Sequence, residues 1–85
     1  MKQTNYLIVN AANKVFMCTT ENTIDAIIQY AASLNFHKEK LQIFNNLART
    51  LTFEEALALF NDVVYDRWTD RITAVFTDYN TLYRE

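Results

Sequence analysis

Three aspartates, Asp62, Asp66 and Asp70, recur at intervals of four, and Glu55 stands seven residues before the first. On a helix that spacing places them on one face. A carboxylate row can hold a divalent cation, and a close pair can divide general-acid and general-base work. The same row also describes a solvated helix face, with Arg67 and Arg71 close by as counter-charges. The solvated face is the stronger reading, followed by an acidic contact surface rather than a catalytic one. His37, the only histidine, has no nearby Asp, Cys or second His to make it a general base or a metal ligand. It reads as a surface residue near a helix start. Cys18 follows Val15-Phe16-Met17 and reads as a small apolar side chain, since a reactive thiol needs an electropositive, accessible setting.

A second set has the chemistry of recognition rather than of catalysis. Tyr65, Trp68, Tyr79 and Tyr83 stand near Arg67, Arg71 and Arg84, and Tyr, Trp and Arg dominate the energetics of protein–protein contacts. The alternative is that these aromatics complete the core. Between Glu54 and Asp70 lie five carboxylates (Glu54, Glu55, Asp62, Asp66 and Asp70) and one base, Arg67, a local charge of −4. That field repels phosphate. The candidate partner-binding residues are therefore Glu54, Glu55, Asp62, Asp66, Asp70, Tyr65, Trp68, Tyr79 and Tyr83. No catalytic, cofactor-binding or metal-ligating residue is assigned, and the chain is expected not to be an enzyme.

Composition sets the outer bounds. Eighty-five residues with 51% hydrophobic and 21% charged side chains predict a single globular domain over residues 1–85. A chain of that length has a small core, so a few of its aromatics must supply much of it. There is no Gly and no Pro, which removes every phosphate loop and dinucleotide fingerprint and leaves turns to Asn10, Asn13, Asn35, Asn45 and Asn46. One cysteine forms no internal disulfide and suits a reducing compartment. The apolar run Tyr6–Val9 is too brief for a signal peptide, and no run approaches a membrane span. The expected location is cytoplasmic, with no membrane partner. A net charge of −2 without a basic patch disfavours nucleic acid.

The elements that must position these residues are legible to different degrees. Asn5–Val9 and Lys14–Thr19 predict two strands joined by Asn10-Ala11-Ala12-Asn13 as a hairpin. Thr20, Asn22 or Thr23 caps a helix whose buried face is Ile24, Ile27, Ile28, Ala31 and Leu34, with Asn35 as its stop. From Phe36 to Ala48 a helix is favoured, with Leu41, Phe44, Leu47 and Ala48 on one face and Ile43 off it; a strand over Leu41–Phe44 with a turn at Asn45-Asn46 is the rival. Thr52-Phe53-Glu54-Glu55 is a capping box, with Leu51 and Ala56 placed for a hydrophobic staple. The helix it opens should run to Tyr65 or beyond. A further helix is expected through Tyr83, on an apolar stripe of Trp68, Ile72, Val75, Phe76, Tyr79, Leu82 and Tyr83 flanked by Thr69, Thr73, Thr77 and Thr81. The composition of Ile72–Thr77 argues instead for a strand.

The expected class is α+β, an N-terminal β-hairpin packed on three or four helices; the runner-up is a mixed sheet with two helices. The expected function is that of a non-enzymatic interaction protein whose acidic face steers to a basic surface of a protein partner while aromatic anchors hold it. In size and kind the chain is similar to small phage or mobile-element proteins that inhibit or adapt a host protein such as a defence nuclease. The alternative is a small dimeric regulator that binds nucleic acid, and a homodimer is compatible with either. A helix-turn-helix around Arg49-Thr50-Leu51 is disfavoured, because its second helix would present carboxylates where bases are read.

Overall fold

The computed structural model describes residues 2–85. Four strands form one antiparallel sheet in the order β2-β1-β3-β4: β1 (Thr4–Asn10), β2 (Val15–Thr20), β3 (Ile72–Thr77) and β4 (Thr81–Arg84). Between β2 and β3 the chain forms α1 (Thr23–Ser33), α2 (Lys38–Ala48), α3 (Phe53–Val63) and a short 3-10 segment, Tyr65–Asp70. The fold is α+β, with the expected hairpin and helices and two further strands. No helix among the described residues is long and apolar enough to cross a membrane.

The hairpin turns on its asparagines. Asn10 is buried, and its Oδ1 accepts from the backbone N–H groups of Ala12 and Lys14, each at 3.0 Å. Asn13 takes φ +61°, the left-handed region that Asn enters at low cost. Tyr6 and Ile8 alternate inward, and the Phe16 and Cys18 side chains of β2 pack on the same core from the neighbouring strand. Asn22 caps α1, accepting from the Asp25 N–H at 2.9 Å. Ala26, Ile27, Ile28, Tyr30 and Ala31 are its buried face. Helix α3 begins with both halves of the capping box: Glu55 N–H to Thr52 Oγ1 at 3.2 Å, and Thr52 N–H to Glu55 Oε1 at 3.1 Å.

Phe60 sits at the centre of the core, fully buried. Its ring meets Tyr30 at 5.4 Å, Phe44 at 5.7 Å and Phe36 at 6.1 Å, tilted or edge-on. These are the separations at which edge-to-face pairs are favoured. One residue from each of the other two helices and one from the α1–α2 loop thus converge on this ring of α3.

Three expectations fail. The helix over 69–83 does not form, because Ile72–Thr77 is the third strand of the sheet. β1 has two edges and β2 satisfies only one, so the β-branched run at 72–77 gains a second ladder by pairing with β1. The entry is fixed by Asn61, whose Oδ1 accepts from Ile72 N–H at 2.9 Å and whose Nδ2 donates to Ile72 C=O at 3.2 Å. The fourfold threonines work locally instead: Thr73 Oγ1 donates to the Val9 carbonyl at the bulge, and Thr77 Oγ1 binds both backbone groups of Asn80 in the β3–β4 turn. Helix α3 also stops at Val63, and Arg67, at φ −129° and ψ 59°, breaks the helical path of the 3-10 segment. Asn45 and Asn46, expected as turn formers, lie within α2. So do Leu41 and Phe44, which excludes a strand there.

Candidate functional site

The helix pair α2–α3 leaves an open groove of about 310 Å³. Ile43 and Leu47 form one wall and Leu59 and Val63 the other, each pair four residues apart and so one helical turn apart. Phe44, buried, lies between the walls, and Tyr65 closes the end where α3 gives way to the 3-10 segment. Ile43 is 60% exposed and Tyr65 83% exposed, unusual values for large apolar side chains that lie together. Asp62 and Asp66 edge the groove on the α3 side, and Lys40 edges it on the α2 side.

Asp62 and Tyr65 also line a second hollow with Glu54, Asn61, Arg71 and Tyr83, where α3 meets β4. The two residues therefore form a ridge with a hollow on either side. Glu54, Asp62, Asp66 and Tyr65, four of the residues expected from sequence, come together here, and half-buried Tyr83 joins them from β4.

The rest of the expected set divides. Glu55 is occupied in the capping box. Asp70 accepts from Arg67 Nε at 3.0 Å. Arg67 is a clamp rather than a surface anchor: its Nη1 donates to the Asn35 carbonyl at 3.1 Å and its guanidinium lies 5.4 Å from the centre of the Phe36 ring. Arg71 pairs with Glu85. Trp68 is 67% exposed on the 3-10 segment but outside the lining of both hollows. Tyr79 stands in the β3–β4 turn, at the opposite end of β3 from Arg71, about 17 Å along the strand. Of the five carboxylates only Asp70 makes an ion pair among the described residues; with Glu55 held in the capping box, Glu54, Asp62 and Asp66 are left without a charged partner. They leave the ridge negative. Asp62, Asp66 and Asp70 do not share one helical face, because the chain changes helix type after Val63.

No family model, no curated protein and no solved structure matches this chain. Its chemistry is therefore read from the site itself.

Sequence reasoning missed the α2 wall. Ile43 falls off the buried face of α2 in the sequence, but a single outward isoleucine is no signal by itself; it becomes part of a patch only when the fold sets it beside Leu47, Leu59, Val63 and Tyr65. Leu47 was placed with the core and proves half exposed. His37 is exposed at the start of α2, where its Nδ1 accepts from Glu39 N–H at 3.4 Å, a capping role. Cys18 is half-buried, and burial raises its thiol pKa, so the nucleophilic thiolate is scarce near neutrality. Among the described residues, no three His, Cys, Asp or Glu side chains gather into a metal-holding group.

Proposed function

We propose that the chain is a non-enzymatic interaction protein that binds a basic protein surface through the α2–α3 groove and the acidic ridge beside it. The observation that carries this reading is the coincidence, at one place, of exposed apolar walls and carboxylates without internal partners. Ile43, Leu47, Leu59, Val63 and Tyr65 supply area to be desolvated, while Asp62 and Asp66 stand at the rim. An apolar centre within a charged rim is the anatomy of a protein contact. The rim charges accelerate encounter with a basic partner, and the apolar walls slow its release.

The groove favours a helix as the bound element. Its walls are helices whose backbone groups are already hydrogen-bonded, so an extended segment would bury its own N–H and C=O groups without partners. An amphipathic helix brings its backbone satisfied and offers side chains at i, i+3, i+4 and i+7. Lys or Arg beside that stripe would meet Asp62 and Asp66. Action as an inhibitor or adaptor from a phage or mobile element, in a reducing cytoplasm, is consistent with the small acidic chain and its single half-buried cysteine. Nucleic acid is the weaker alternative, since Glu54, Asp62 and Asp66 would repel its phosphates.

Affinity capture from source-cell lysate tests the reading with three baits: the native chain, Ile43→Glu with Leu47→Glu, and Asp62→Asn with Asp66→Asn. A partner protein retained by the native chain should be lost with the first variant and weakened, most at low salt, with the second. Identical capture by all three would remove the groove from the account.

A further inference from the structure

The two strands that border the sheet are unlike. β4 has four residues, a bulge against β3 and Arg84 at its end. Short length, bulges and charge are devices by which edge strands avoid further pairing. β2 has none of them: Val15–Thr20 contains no charge and keeps an unbroken register with β1.

The direction of its free backbone groups follows from the hairpin. Asn10 N–H donates to Lys14 C=O at 3.0 Å, so Asn10 and Lys14 are a hydrogen-bonded pair. Such pairs alternate along an antiparallel ladder. Phe16, Cys18 and Thr20 therefore turn their N–H and C=O groups toward β1, and Val15, Met17 and Thr19 turn theirs to the open edge. The neighbouring ladder agrees: Ala11 N–H donates to Arg71 C=O at 2.9 Å, so the odd-numbered groups of this segment face β3.

We propose that this edge pairs with β2 of a second copy of the chain, antiparallel, about a two-fold axis at Met17. In that register Met17 faces Met17 of the second copy, and Val15 and Thr19 face each other twice. Every outward N–H and C=O of these three residues then has a partner, and every residue faces one on the same side of the sheet. The charges favour a second copy over an unrelated strand. Lys14 precedes β2 and Glu21 follows it; both are exposed, and neither forms an ion pair among the described residues. Antiparallel self-pairing brings the basic end of each strand beside the acidic end of the other at both ends. Met17, 74% exposed, and Val15 extend the apolar outer face of Leu7, Val9 and Phe76 across the axis. This pairing is independent of the α2–α3 groove.

Sedimentation velocity on the full chain, from micromolar to millimolar concentration, should show the mass rising toward twice 10.0 kDa. Met17→Lys sets like charges opposite one another at the axis. It should stay monomeric with an unchanged far-UV circular dichroism spectrum. With Cys18→Ser as background, Met17→Cys should oxidise to a covalent dimer. Val15→Cys in the same background should not, because the two copies of position 15 are about 13 Å apart, beyond disulfide reach. A chain that stays monomeric at every concentration overturns the proposal. So does a dimer that survives Met17→Lys, or one that cross-links as readily through position 15 as through position 17.

Discussion

Tyr30 shows how much one side chain does in a small core. Its hydroxyl donates to the Asp70 carbonyl at 2.8 Å and accepts from Asn10 Nδ2 at 3.2 Å, while its ring packs between Phe16 and Phe60. It thereby ties the hairpin turn, α1 and the 3-10 segment together. Burial raises its pKa above the ordinary tyrosine value near 10. The neutral form is thus favoured in the folded state, and the unfolded chain ionises first. The stability from this group is fully present below about pH 10 and is lost as pH rises through the folded pKa. Urea midpoints measured from pH 8 to about pH 11 should fall for the native chain. The fall should be shallower for Tyr30→Phe, which begins lower at pH 8 because Asn10 and the Asp70 carbonyl lose their shared partner. Parallel curves for the two proteins would show that Tyr30 does not contribute the alkaline loss.

At the scale of elements, local signals and long-range pairing decide different parts of the chain. The start of α3 is written in four consecutive residues, and both capping bonds form as the sequence implies. Replacing Thr52 by Ala should lower stability by about 1 kcal/mol, with Ser restoring most of it. Chemical denaturation measures this, and an Ala variant as stable as the native chain would mean that the cap contributes nothing. β3 is the opposite case. Its sequence satisfies a helical spacing, and its strand state depends on β1, more than sixty residues earlier, having an open edge. Nothing within Ile72–Thr77 announces that partner. Nor does the fourfold threonine spacing, whose hydroxyls serve the bulge and the turn rather than a helix face. The hairpin was legible because Asn10 and Asn13 are local; the β-rich composition of Ile72–Thr77 was legible too, but its pairing with β1 was not, because that is non-local.

On the whole molecule, the carboxylates of the candidate site were visible as charge density, since exposed Asp and Glu need no fold to be counted. What they border was hidden. Asp62 and Asp66 become a rim only when α2 lies beside α3 and turns Ile43 and Leu47 outward. Tyr79 could be excluded from the ridge only once the β3–β4 turn had carried it to the other end of the sheet. The molecule so assembled offers two separate surfaces, an acidic-rimmed groove on the helical side and an open edge at β2, and the proposed function rests on the groove. Amide and methyl NMR spectra recorded during titration with a helical leucine–lysine peptide, and with its leucine–glutamate counterpart, test that groove directly. The basic peptide should shift the signals of Ile43, Leu47, Leu59, Val63 and Tyr65, weaken with added salt and lose affinity in Asp62→Asn with Asp66→Asn, while the acidic peptide leaves those signals in place. Equal response to both peptides, or shifts that fall elsewhere and spare these five residues, would contradict the account.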